Sequence, residues 1–443
     1  MNELDTLRAE HEVARREERS LNMERGQPAD ENFDLSLPLL SAVGEDDIVT
    51  DAGIDIRNYP GGVAGLAEAR ALFAPVLGAR ADEVIVGGSS SLELMSHVLS
   101  WALLRGVNGS AAPWVRGPAK LIVTVPGYDR HFGLAEALGY ELVAVPIGPQ
   151  GPDMDAVERL AADDAAIKGI YFVPNHSNPT GDSLSSEAAA RLTKMPTAAP
   201  DFTVFADDAY AVHHLVEPEA PAPPLLRVAE AAGNPERVIV FGSTSKVTFA
   251  SAGLAFMAAS VANVRYWSAL FSAQSIGPNK AEQWRHVRFL GGYPDGIAGL
   301  MRDHARILAP KFAAVAETLE LELGNRGLAR WSAPRGGYFV SLDTDRPVAD
   351  RVVALAREAG VALTPTGATF PGGVDPGNRN IRLAPTRPSL EDVREAMGIV
   401  CRCVRLASAE HDATHGGAAS DGPDHDGSDH DSEDGAAATA DDT

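Results

Sequence analysis

The sequence has little cysteine, a shortage of cationic charge and no long apolar run, and each shortage removes a class of function. Cysteine occurs only at Cys401 and Cys403. Two positions apart, they are too close to staple a fold, and they read as ordinary residues of a C-terminal helix. No stretch approaches the ~20 apolar residues that crossing a bilayer requires. The start, Met1-Asn2-Glu3-Leu4-Asp5, lacks the basic and apolar regions of a secretory leader. A soluble cytoplasmic protein, with no membrane partner, is expected. Lys and Arg number 38 against 61 Asp and Glu, for a net charge of -23. Residues 410–443 hold eleven of those acids and no Lys or Arg, which leaves about -12 on the body. Nucleic acid needs phosphate neutralisation by basic side chains, so it is not an expected partner.

At 443 residues the chain is too long for one small core and suits a large domain plus a smaller one. Residues 1–20 are charged, with Leu4, Leu7 and Val13 at near-helical spacing, and predict a surface helix. From Glu83 onward short β-rich runs alternate with amphipathic stretches. The runs at 83–87, 120–125, 141–146, 168–173, 202–206, 237–242 and 254–259 predict strands. Those at 91–105, 130–139, 153–163, 185–194 and 261–273 predict helices. This alternation predicts an α/β fold, its large domain a mostly parallel sheet covered by helices, with ligands at the C-terminal strand ends. A helical stretch from 297 to 323 leads to a smaller α+β domain. Its expected strands lie near 328–332, 338–342 and 380–383, and its helices at 348–359 and 389–406. The expected division is an N-terminal segment 1–50 belonging to the small domain, a large domain 51–296, a linking helix with the small domain 297–408, and a disordered acidic tail 409–443. The tail's four histidines read as part of a low-complexity, solubilising segment, and no metal site is expected.

The chemistry is concentrated at three strand ends. Lys246 closes Phe241-Gly242-Ser243-Thr244-Ser245-Lys246 after the apolar Val238-Ile239-Val240. Upstream stand Asn178-Pro179-Thr180-Gly181 and Asp207-Asp208-Ala209-Tyr210. A lysine amine forms a Schiff base with an aldehyde. Pyridoxal 5'-phosphate acts as an electron sink when a carboxylate keeps its ring nitrogen protonated. Asp207 suits that carboxylate, and Tyr210 and Asn178 suit the ring's phenolic oxygen. A phosphate needs small hydroxyl residues at a helix N-terminus. Gly88, Ser89 and Ser90 end a strand and open the apolar Leu92-Glu93-Leu94-Met95, and Ser243 adds a hydroxyl. Tyr128 can stack on the ring, and His131 can stand behind Asp207. Arg382, in the apolar Asn380-Ile381-Arg382-Leu383-Ala384, suits a substrate carboxylate.

These segments, in this order, resemble the fold type I aminotransferases, and the resemblance runs from about Met23 to Leu406. Tyr128-Asp129-Arg130-His131-Phe132 and Ile276-Gly277-Pro278-Asn279-Lys280 resemble most the aspartate aminotransferases of subgroup Ic. The resemblance implies a homodimer with shared sites, in which Tyr59 of Asn58-Tyr59-Pro60-Gly61-Gly62 reaches the neighbouring cofactor phosphate. It also implies that Gly26 of Arg25-Gly26-Gln27-Pro28 lies near the substrate carboxylate. One departure stands out. The family's Gly-x-Arg after the lysine is Gly253-Leu254-Ala255 here, so the phosphate takes positive charge from elsewhere or relies on hydroxyls and the helix dipole, and Lys280, from this chain or from the other subunit, is the candidate cation. The implied activity is transamination between amino acids and 2-oxo acids, foremost aspartate and 2-oxoglutarate. Arg285, Arg288 and Arg130 are candidates for the second carboxylate. An aminotransferase for aromatic or aliphatic amino acids, or a β-lyase on the same fold, is the alternative. A regulator that fuses such a domain to a DNA-binding one is disfavoured, because only about 20 residues precede Arg25 and the body is acidic.

Overall fold

Short apolar runs buried on alternate faces build the centre of the molecule. The computed structural model describes residues 2–59, 61–217 and 222–415. Its strands in chain order are β1 (Leu21–Asn22), β2 (Val84–Val86), β3 (Lys120–Val125), β4 (Glu141–Gly148), β5 (Gly151–Pro152), β6 (Ile167–Phe172), β7 (Thr203–Asp207), β8 (Val238–Ser243), β9 (Ala255–Ala259), β10 (Ala329–Trp331), β11 (Val340–Thr344), β12 (Val361–Ala362) and β13 (Asn380–Leu383). Eight of these form one sheet in the order β2-β9-β8-β7-β6-β3-β4-β5. From β8 to β4 every pairing is parallel, whereas β9 runs antiparallel to both β2 and β8. Period-two alternation sends Ile122, Val204 and Val240 into one core with Phe73 and Trp284. Their neighbours Leu121, Phe205 and Ile239 enter a second core with Leu94 and Trp267. Covered on both faces, the strands read as continuous apolar runs, as buried parallel strands do.

The smaller domain holds the antiparallel sheet β10-β11-β13 and the helices Gly296–Leu323, Ala349–Glu358 and Leu390–His415. Leu7, Val315, Val352 and Met397 share its core. The N-terminal segment divides between the domains. Helix Glu3–Arg15 packs on this core and β1 pairs in parallel with β12, but Leu39 is buried with Leu66 in the larger domain. The expectation that all of 1–50 joins the small domain is therefore corrected. The last helix also continues past the expected 406 to His415, so 409–415 is helix rather than tail. The rest of the expected tail, 416–443, lies outside the described residues. Cys401 and Cys403 are free and buried on this helix. Among the described residues no helix is long and apolar enough to cross a membrane.

Candidate active site

Sheet order makes neighbours of residues far apart in sequence. β8, β7, β6 and β3 lie side by side, and their C-terminal ends lead to Lys246, to Asp207 and Tyr210, to Asn178, and to Tyr128 respectively. These ends border a cleft of about 330 Å³, which Lys246, Tyr210, Asn178 and Tyr128 line together with Gly26 and Arg382.

The Lys246 amine lies 5.0 Å from the centre of the Tyr210 ring and 5.9 Å from that of Tyr338. Burial pulls its pKa below the ordinary lysine value, and the charge of Asp207 opposes the shift. The lysine's carbonyl accepts from His213 Nε2 (3.2 Å) and from the Tyr338 hydroxyl (3.3 Å). Since a carbonyl can only accept, His213 carries its proton on Nε2, and its buried Nδ1 has no partner. Burial first, then the nearby charge of Asp207, keeps the Tyr128 hydroxyl protonated. Tyr210 is likewise held protonated, chiefly by burial.

Asp207 is 1% exposed. His131 meets its Oδ2 at 2.9 Å, and the His131 ring stacks on Tyr171 with centroids 3.8 Å apart. The other oxygen, Oδ1, is buried with no hydrogen-bond partner. An unsatisfied buried carboxylate oxygen calls for a donor, and a protonated ring nitrogen fits it. Asp208 takes the other direction, where both its oxygens accept from Asn175 Nδ2 at 2.9 Å. Burial pushes its carboxyl up to about 7, against the Asn175 bond and aided by Asp207's charge.

Arg382 is buried, as its apolar strand requires. Its Nη1 donates to Asp129 Oδ1 and Asn178 Oδ1, both at 3.3 Å, and its Nε donates to Thr364 Oγ1 at 3.2 Å. The guanidinium also lies 4.9 Å from the Phe339 ring centre. Gly26 must be glycine here, because a Cβ would come within 2.4 Å of that ring.

The expected phosphate residues gather at the neighbouring strand ends. Gly87 N–H donates to Ala255 O, and Ala255 N–H donates to Gly88 O. Ala255 pairs in register with Ser243, so Gly88, Ala255 and Ser243 lie side by side. Ser90 caps helix Ser91–Arg105 by accepting from Glu93 N–H. The Glu93 carboxylate folds back to accept from Ser89 N–H (2.7 Å) and Ser89 Oγ (2.8 Å). The loop thus binds an anion in this structure, the chain's own. Buried Ala255 supplies no cation where the family's arginine is expected.

Beyond Asp207 and the phosphate residues, four more candidates lie outside the cleft lining. Tyr59 is 69% exposed, and Lys280 lies beside Gly61. Arg285 bonds Leu39 O and Glu282, and Arg288 pairs with Asp47 at 3.5 Å. These two arginines share a helical face that packs on residues 39–47 of the same chain, outside this chain's own cleft. Arg130, by contrast, lines the cleft and makes no ion pair or hydrogen bond among the described residues. Sequence reasoning missed Asp129, Thr364, His213 and Tyr338. Asp129 left a trace as part of the Tyr128–Phe132 motif, and Tyr338 as part of Pro334-Arg335-Gly336-Gly337-Tyr338-Phe339, which resembles the family's entry to a small-domain strand. Among the described residues no group of three or more His, Cys, Asp or Glu could hold a metal.

The chain is similar to known proteins along most of its length. A family model described as aspartate amino-transferase matches residues 2–415. The aspartate aminotransferase of Corynebacterium glutamicum is 44% identical over 394 residues, spanning 89% of this chain and 90% of that protein. The crystal structure of an aspartate transaminase from C. glutamicum superposes with a TM-score of 0.89 at 42% identity, covering 92% of this chain and 96% of that one. The fold, at TM-score 0.71 and 24% identity, is shared with α-aminoadipate aminotransferase of Thermus thermophilus in complex with N-(5'-phosphopyridoxyl)-L-leucine, over 88% of this chain and 93% of that one.

Proposed function

The chain belongs to the aspartate aminotransferase family, and from that premise we propose that it is a pyridoxal-phosphate-dependent enzyme exchanging amino groups between aspartate and 2-oxoglutarate. The observation that carries the reading is Asp207, with one oxygen fixed by His131 and the other buried without a hydrogen-bond partner. Pyridoxal phosphate, when bound, supplies the electron sink for charge that develops at the substrate α-carbon.

The chain's own residues do the remaining work. Asp207 holds a positive charge at the ring nitrogen, and His131 fixes its orientation. Tyr210 keeps its proton and, with Asn178, would hold the ring's phenolic oxygen. The Lys246 amine, made less basic by burial, would take the proton from the substrate α-carbon and hold it for return. Tyr128 covers the ring, while Ser243, Gly88, Ser89 and Ser90 serve the phosphate. Arg382 receives the α-carboxylate in place of Asp129, with Gly26 leaving room. The unpaired Arg130 receives the second carboxylate, which favours dicarboxylate substrates over aromatic or aliphatic ones. The exposed Tyr59 suits a homodimer in which a second copy completes each site.

The test is an amino-donor screen against 2-oxoglutarate. Aspartate should give the highest kcat/KM, and a better aromatic or aliphatic donor would overturn the substrate assignment.

A further inference from the structure

A buried cation needs an anion or several acceptors around it. Apart from the half-buried Lys246, three Lys or Arg residues are buried among the described residues: Arg382, Lys311 and Lys280. Arg382 has the partners given above, and Lys311 donates to Thr386 O at 2.9 Å. Lys280 is 5% exposed, and its side chain makes no hydrogen bond or ion pair among the described residues.

Its position sharpens the anomaly. Lys280 is the first residue of helix Lys280–Gly292, whose cap Asn279 accepts from Glu282 N–H. The ammonium and the positive end of the helix dipole repel each other unless an anion lies between them. Two glycines make room for the side chain. A Cβ on Gly61 would come within 2.7 Å of Lys280 Cε, and one on Gly277 within 3.0 Å of Nζ. Gln283, one turn along, donates to Val86 O at 3.1 Å, and Pro278 lies 3.6 Å from where a Gly87 Cβ would stand. Val86 and Gly87 lead directly into the Gly88–Ser90 loop, so two helix N-termini approach one loop.

We propose that Lys280 supplies the cation of a phosphate-monoester site made with the N-terminus of its own helix and the Gly88–Ser90 loop, and that its ligand is the phosphate of the cofactor. The inference rests on the pyridoxal phosphate reading. A phosphate monoester carries nearly two negative charges, and the strand beside Ser243 offers only Ala255. A dianion would also offset the burial that lowers the lysine's pKa.

The full-length protein, stripped of cofactor, is titrated with pyridoxal 5'-phosphate and separately with pyridoxal, which lacks the phosphate. Lys280→Ala should raise the Kd for pyridoxal phosphate by ~30-fold while leaving that for pyridoxal within about twofold, and Lys280→Arg should restore most of the loss. Equal Kd values for wild type and Lys280→Ala overturn the inference. So does an equal loss for both ligands, which would mean a structural role. A wild type that binds neither ligand overturns the cofactor reading itself.

Discussion

Asp207 and Asp208 are adjacent in sequence and opposite in setting, and substitutions should separate them. Asp207→Asn removes the charge held at the ring nitrogen and should lower kcat by ~10³-fold with some cofactor retained. If Asp208→Asn is the crippling change, the assignment is one residue out of register. Asp208 has its own signature in stability. Its carboxyl rises from an ordinary 3.8 to about 7 in the fold. Between those values the folded chain keeps a proton that the unfolded chain releases. The group's contribution is therefore fully present below pH 4 and is lost as pH climbs to 7. Asp208→Asn should flatten the decline of the unfolding midpoint across that window, and parallel curves would refute the assignment. Asp129 holds the Arg382 fork that a substrate carboxylate needs, so Asp129→Asn should lower KM for aspartate by ~5-fold; a rise in KM would show that Asp129 helps the substrate bind. Lys246, Asp207, Tyr210 and Asn178 were legible because each stands where an apolar run gives way to turn residues. Asp129, Thr364, His213 and Tyr338 were not, since their roles depend on which strands and domains end up adjacent. The i,i+3 spacing of Arg285 and Arg288 told of a shared helical face, but not of what that face packs against.

Elements with strong local signals were read within a residue or two. β3 and helix Ser91–Arg105 match expectation at both ends, the helix because Ser90 caps it and Gly106 stops it. Helices Asp30–Leu35, Ala67–Phe73 and Leu225–Ala231 went unread, since seven residues or fewer show barely two turns of periodicity. The C-terminal helix was cut short because its last turns are polar. What holds them is charge: Glu410 pairs with Arg351 and Asp412 with Arg346, each at 2.9 Å. Truncation after His415 should leave turnover and Tm unchanged. Truncation after Ala409 should lower Tm by ~2–6 °C, the effect of two partly exposed pairs and a lost helix end. Equal Tm values for the two truncations would show that the pairs contribute nothing.

At the scale of the whole molecule, the strand alternation foretold the parallel sheet, but sheet order and the split N-terminal segment are set by long-range packing that no local pattern encodes. The exposed Tyr59 makes the proposed second copy testable. Lys246→Ala chains keep Tyr59, and Tyr59→Ala chains keep Lys246. Mixed dimers of the two should regain activity at one of their two sites if Tyr59 acts across the interface, and no gain on mixing would confine it to its own chain.

The two bonds on the Lys246 carbonyl have a mechanical meaning. Tyr338 belongs to the segment that enters β11 of the smaller domain, and Gly337 N–H donates to His213 O at 2.8 Å, stitching that segment to the loop below. The foot of the lysine is thus tied to both domains at once. With its backbone held in this way, the lysine moves its amine through rotation of its own side chain.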